Sequence, residues 1–456
     1  MPAPTLIPVF SRHRHPRLRY VLRELGRDLG YDLRLMTDEK QWAGTEAGAK
    51  IALAEVGGAE RHLRLPAHKL LKGGAPSAAD LEVTHRDDVF AFFPVGNEFD
   101  LLACTFFHLS RYEEYQPFTP DAHGRFPAGA SHALANGYLH RPVVREYAAL
   151  LARRLAAVFP TLTAPKTHAW NFRPTYDIDI LWAFHHRGPR GLAAGARDFL
   201  TGHARRAWRR FAAAPAQDPF FSLDFLHALH GPENHSLHPA SAPEKAPPPA
   251  HEQEALKPIW FWLLTDRKHP HDVNPYPIPP EQRAIIGRLA KTDTVGIHPG
   301  YRAAETPAAL REEIERLATI TGRGVSHSRQ HFLRLRFPET YRMLRNAGIT
   351  HDYTMGYADA AGWRAGTNLP FSWYDLEREE TTGLTVHPFA AMDATLRSYL
   401  GLSPAEARDR VLGLAAGVRP FGGDFQLLWH NSSFDELFGW GGWQGAYAEM
   451  VRALRR

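Results

Sequence analysis

In the second part of this chain the apolar residues come in short bursts. They lie at 171–184, 258–265, 293–298, 325–335, 348–356, 384–393 and 424–431. Short apolar runs bounded by turn residues suit buried strands. Stretches of helical periodicity intervene, such as 307–320 and 338–347. Strands that alternate with helices predict a parallel α/β sheet or barrel.

The first part mixes short strand-like and helical runs. Residues 99–115 repeat apolar positions at helical spacing, and Asp100 is placed to cap that helix. Residues 141–159 form a second amphipathic run, in which Pro142 suits a helix start. Between them lies DAHGRFPAGAS, a loop rich in Gly, Pro and Ala. The segment TLTAPKTH at 161–168 reads as a junction. The chain therefore divides into a smaller α/β domain over 1–165 and a larger α/β domain over 166–456. Residues 231–257 are rich in Pro and Ala and poor in apolar bulk, so a disordered insertion is expected there.

Composition narrows the chemistry. A chain of 456 residues can build its core without disulfide staples. Cys104 is the only cysteine, which excludes an intramolecular disulfide and any zinc site built on paired thiolates. The 54 basic residues nearly balance 49 acidic ones, whereas a nucleic-acid binder usually concentrates basic charge, so nucleic acid is not an expected partner. No signal-peptide run or stretch of about 18 apolar residues occurs, so no membrane span is expected and a cytoplasmic location is. P-loop, Rossmann, HExxH and nucleophile-elbow patterns are absent. There are 26 histidines. With thiolates excluded, a tightly bound transition metal must use imidazole and carboxylate.

Four motifs carry candidate chemistry. In Thr175-Tyr176-Asp177-Ile178-Asp179 two carboxylates stand two apart in an apolar run, so on a strand they share a face. Burying both requires a compensating cation, either a divalent metal or an arginine. His298 ends the run DTVGIH and meets a Pro-Gly turn. In 325–335, strand alternation would put His327, Arg329 and His331 on one face. The run FQLLWHN delivers His430, a candidate general acid. Asp352 and Asp393 follow apolar runs, and each would orient a histidine or cap a helix. His387 is a weaker ligand candidate. The turn-rich 362–376 carries several aromatics, for which ordinary packing outweighs a carbohydrate site.

The order of these motifs resembles the polysaccharide deacetylase family (NodB-like, carbohydrate esterase family 4-like), over about residues 168 to 435. The resemblance implies a distorted (β/α)7 barrel preceded by a smaller α/β domain. TYDID is similar to that family's Thr-Phe-Asp-Asp, His298 to its first motif histidine, Arg329 to its orienting arginine and LLWH to its last motif. FDLLACTFFHLSRYEEY and DAHGRF look like the domain of unknown function that precedes such a barrel in some bacterial proteins. There are departures. Ile178 separates the two acids, Arg302 stands four residues after His298 where the family has a second histidine, and the Pro-Tyr of the third motif is missing.

By this resemblance the chain is a hydrolase acting on carbon–nitrogen, non-peptide bonds. It would remove N-acetyl or O-acetyl groups from a saccharide. Asp179 and His298 would hold a divalent metal, zinc being expected, and His331 would replace the missing histidine. Asp177 would be the general base, with Arg329 beside it. His430 would protonate the departing amine, oriented by Asp352 or Asp393. The competing expectation is a catalytically inactive deacetylase-like module that binds carbohydrate or acts as a scaffold. A two-carboxylate glycosidase ranks last, because Asp177 and Asp179 are too close to flank a scissile bond at about 5–9 Å.

Overall fold

The computed structural model describes residues 4–57, 61–186, 196–203, 207–210, 214–231, 255–266 and 269–456. Most of the insertion read at 231–257 lies outside the described residues.

The chain opens with β1 (Thr5–Phe10), the helix Pro16–Leu29 and β2 (Tyr31–Met36). His15 accepts a hydrogen bond from the Arg17 N–H at the helix start. Gly30, at φ +73, takes the left-handed cap that turns the chain into β2. Two short strands, β3 (Ile51–Ala52) and β4 (Leu63–Arg64), complete a parallel sheet of order β2-β1-β3-β4. Two hairpins follow, β5 (Thr84–Arg86) with β6 (Val89–Ala91) and β7 (Pro94–Val95) with β8 (Glu98–Phe99). Asp100 caps the helix Leu101–Leu109 by accepting from the Leu102 and Ala103 N–H groups. Arg111, in the left-handed region, ends that helical course, and a short 3-10 turn at Tyr112–Tyr115 replaces its expected last turn. The helix Val143–Val158 follows.

The second sheet has nine strands. In chain order they are β9 (Trp170–Ile178), β10 (Ile259–Trp262), β11 (Thr294–Ile297), β12 (His327–Ser328), β13 (His351–Asp352), β14 (Phe371–Asp375), β15 (Glu380–Val386), β16 (Ala391–Met392) and β17 (Gly423–His430). Their spatial order is β14-β15-β13-β12-β11-β10-β9-β17-β16. Every pairing is parallel except that of β14 with β15. Strands covered on both faces read as continuous apolar runs rather than alternating ones, as IWFW in β10 does.

The expected barrel is corrected in one respect: among the described residues the sheet does not close. It is nevertheless curled, because only residues 387–390 join β15 near one edge to β16 at the other. Four residues span at most about 14 Å. Pro388 has no N–H to give. Phe389 donates to the Met355 carbonyl on one side and Ala390 to the Gln426 carbonyl on the other. The gap is bridged by single bonds where a strand pair would close it.

One apolar core runs through both parts of the chain, from Leu18, Tyr20 and Phe106 to Trp373 and Tyr374. The rings of Tyr20 and Tyr374 lie 4.9 Å apart, and the Tyr20 hydroxyl donates to the Ser372 carbonyl at 2.8 Å. The aromatics of 362–376 belong to this packing: Trp363, Phe371, Trp373 and Tyr374 are all buried.

Candidate active site

The parallel strands deliver their last residues to one end of the curled sheet. Asp177 lies in β9 opposite His430 of β17 and Phe261 of β10. Asp179 stands just past the end of β9. His298 follows β11 directly and its N–H bonds back to the Trp262 carbonyl. Register thus brings both acids and two of the histidines together.

Arg329 is fully buried beneath them. Its guanidinium donates to Asp177 Oδ1 at 2.9 Å, to Thr175 Oγ1 at 2.7 Å and to the Tyr353 carbonyl at 3.0 Å. The Phe261 ring covers it at 4.6 Å. Asp177 Oδ2 is left facing His298 Nε2 at 3.7 Å.

His331 comes from a turn, not from the strand face expected. β12 stops at Ser328, and Phe332 and Leu333 both take left-handed backbone conformations. That break separates the predicted row. Arg329 and His331 reach the site, while His327 stacks on His351, 4.6 Å away. His387 is likewise elsewhere, with its ring stacked on Tyr353 at 4.2 Å. Arg302 is exposed in the turn after His298.

Three ligand-type atoms converge. His331 Nδ1 lies 3.1 Å from His298 Nε2 and 3.4 Å from Asp179 Oδ1, and His298 Nε2 lies 3.3 Å from Asp179 Oδ1. The other ring nitrogens are committed: His298 Nδ1 sits 2.6 Å from the Arg329 carbonyl and His331 Nε2 3.1 Å from the His271 carbonyl. A carbonyl oxygen only accepts, so each of these nitrogens carries the proton. In the neutral rings, two lone pairs then face each other and a carboxylate oxygen that makes no hydrogen bond. Such a set of acceptors asks for a cation. A tetrahedral ion with ligands at about 2.0–2.1 Å spaces them about 3.3–3.4 Å apart, which this triangle fits. Hydrogen-bonding the second imidazole nitrogen to a carbonyl is also how metal-bound histidines are oriented. Asp179, His298 and His331 are the one such group found among the described residues.

The carboxylates favour positive charge at this corner, whether proton or metal. Burial opposes ionisation of Asp179, but His331, His298 and His430 hold its carboxyl well below the usual range. Burial also opposes protonation of His298, yet Asp177 and Asp179 raise it above an ordinary imidazole. His331 is lowered, chiefly by burial.

Across the site, His430 Nε2 lies 3.8 Å from Asp179 Oδ2. Asp393, fully buried, holds this ring: its Oδ1 meets His430 Nδ1 and its Oδ2 accepts the His430 N–H, both at 2.8 Å. Despite burial, Asp393, Asp179 and Asp177 push the imidazolium up to about 10. Asp352 does not share this task, which corrects the earlier alternative. Its oxygens accept from the Tyr341 hydroxyl and from the N–H and hydroxyl of Thr354. Burial raises its carboxyl to about 6. Sequence reasoning missed Thr175 as the second anchor of Arg329, although it stands in the TYDID motif. It also missed the His271 carbonyl, which no side-chain pattern could signal.

A family of unknown function, DUF7033, matches residues 7–160. A search of curated proteins found no match. Among solved structures, a protein described as a polysaccharide deacetylase from Mycobacterium smegmatis is 14% identical, with 64% of this chain and 86% of that chain covered and a TM-score of 0.35. A mutant of a CE4-family pseudoenzyme with restored enzymatic activity is 9% identical, covers 64% of each chain and has a TM-score of 0.27. The 4-alpha-glucanotransferase from Thermococcus litoralis is 14% identical over 63% of this chain and 38% of that one, at a TM-score of 0.33. No helix among the described residues is long and apolar enough to cross a membrane.

Proposed function

We propose that this chain is a metal-dependent hydrolase that removes N-acetyl, or O-acetyl, groups from a saccharide. The observation that carries the reading is the convergence of Asp179 Oδ1, His298 Nε2 and His331 Nδ1 within 3.4 Å of one another. Asp177 flanks that triad with its arginine on one side, and His430 with its aspartate on the other.

Asp179, His298 and His331 would hold a divalent ion, zinc by the nature of its donors. When bound, the ion supplies a Lewis acid for the acyl carbonyl and a water of lowered pKa. Asp177 takes the proton from the attacking water through Oδ2, since Arg329 occupies Oδ1. Thr175 fixes the guanidinium, so the base keeps one orientation. His430 presents Nε2 to the departing amine as a proton donor, while Asp393 anchors Nδ1. From an N-acetyl group the products are acetate and a free amino sugar; from an O-acetyl group they are acetate and a free hydroxyl.

Metal analysis of the purified protein tests the site. Wild type should carry close to one divalent ion per chain, and His298→Ala should lose it. A metal-free wild type whose stability is unchanged by chelator sinks the reading. On a panel of N-acetylated saccharides, Asp177→Asn should cost about 100- to 10,000-fold in turnover while sparing metal and sugar binding. Saccharide binding without turnover by the metal-loaded wild type would instead make the chain a binding or scaffolding module.

A further inference from the structure

We infer that the loop 121–125, which lies within the part matched by the family of unknown function, is a positioning device for the ligand His331, with Arg125 as its working residue. The inference rests on the metal reading of the site.

The residue after His331 is Phe332, at φ +57 and ψ +13, and the next, Leu333, is at φ +54. Left-handed backbone is costly for a non-glycine residue, and it persists only where the surroundings over-determine it. Within the larger part, the His331 N–H reaches the Pro299 carbonyl and the Leu333 N–H the Gln330 carbonyl. The His271 ring adds packing against Phe332 at 4.8 Å, and a further hold comes from the first part of the chain. Arg125 Nη1 donates to the Phe332 carbonyl at 2.8 Å. That guanidinium has no freedom of its own, since Nε pairs with Asp121 Oδ2 at 2.6 Å and Nη2 donates to the Tyr399 hydroxyl. Arg125 is buried.

The loop is itself preformed. Asp121 Oδ1 accepts the N–H groups of His123 and Arg125, both at 2.9 Å. Gly124 supplies the positive φ, +76, that lets the chain fold back, and its N–H bonds to the Asp121 carbonyl. On the far side, Arg334 donates through Nε to the His123 carbonyl at 3.1 Å and through Nη1 to the Tyr301 carbonyl at 2.5 Å. The His123 ring packs on Phe332 at 4.6 Å. The turn that aims His331 Nδ1 into the site is thereby clamped from both flanks. Without Arg125 the Phe332 peptide loses its charged donor, the turn is free to leave the left-handed region, and Nδ1 swings off the triangle.

The test is zinc titration of the full-length protein, stripped and refilled against a competing chelator. Arg125→Ala should bind zinc about 10- to 100-fold more weakly, the usual effect of removing a group that orients a ligand. Arg125→Lys should recover part of the loss. Arg17→Ala is the control. Arg17 is equally buried and ties the first part of the chain to Glu379 away from the site, so its loss should leave zinc affinity unchanged. Equal affinity in Arg125→Ala and wild type overturns the inference, as does an equal loss in Arg17→Ala. If Arg125→Ala does not fold, Asp121→Asn, which unfixes the guanidinium, should weaken zinc in the same direction, and an unchanged affinity there overturns the inference too. A wild type that takes up no zinc sinks the metal reading itself, a result distinct from the other two.

Discussion

Glu313 is buried beside the site, with Oε2 accepting the Gly300 N–H at 2.8 Å. Burial first, and then the neighbouring Asp272, raise its carboxyl from 4.5 to about 8. Because the folded-state value is raised, the neutral form is the one folding favours. Its contribution is complete below pH 4.5 and is lost as pH climbs through about 8. Glu313→Gln keeps the acceptor oxygen and removes the titration. The variant should match wild type near pH 4.5 and exceed it at pH 9 by on the order of 3–5 kcal/mol. Urea denaturation at the two pH values checks this, and an equal effect at both would remove burial as the cause. At this scale much of the site was legible. Asp177, Asp179, His298 and His430 each lie at or just past the end of an apolar strand, and a parallel sheet gathers such ends. Asp352 and Asp393 were not separable, because both follow apolar runs. Only cross-sheet register decides which carboxylate meets His430.

The strands themselves were legible wherever a run is apolar without interruption, as in β9, β10, β11 and β17. What the pattern hides is where a run breaks. The stretch 384–393 looks like one strand, yet Pro388 divides it into β15 and β16 on opposite sides of the curled sheet. The stretch 325–335 shrinks to β12 and a left-handed turn, which cost the predicted face its alternation. The hairpin partner β14 was missed, since turn residues surround it. Among these elements β11 aims His298, and Gly296 lets it pack. A Cβ at Gly296 would lie 2.6 Å from the Phe261 ring and 2.9 Å from the His327 carbonyl. Gly296→Ala should therefore cost about 1–3 kcal/mol and weaken zinc binding as the strand end shifts. Gly383→Ala, in β15, meets nothing within 4 Å and should be neutral or stabilising by about 0.5–1 kcal/mol. Denaturation midpoints for the pair, with zinc affinity for the first, separate overpacking from a general intolerance of substitution.

For the molecule as a whole, the division read near residue 165 is a change in texture, and the packing runs across it. Glu114 stands in the first part with Arg111, and Arg364 reaches it from the second. All three are buried, and Arg111 also donates to the Tyr357 hydroxyl at 3.0 Å. Burial opposes the charge on Glu114, but Arg364 and Arg111 hold its carboxyl below its ordinary value. A buried carboxylate that serves two arginines cannot be removed cheaply, because Arg364 loses its countercharge and Arg111 is left with Glu113. Glu114→Gln preserves the shape and deletes the charge, so a loss of about 3–5 kcal/mol is expected. Where that loss appears tells how the molecule unfolds. If the two parts were independent, the first would melt alone and β17 would keep its protection. With one core and this ion cluster between them, the helix Leu101–Leu109 and β17 should lose hydrogen-exchange protection together, at the same denaturant concentration, in wild type and variant alike. Coupling of this kind would let the loop 121–125 act as part of the site, because the shared core, and not any one ion pair such as Arg17–Glu379, holds the first part in place.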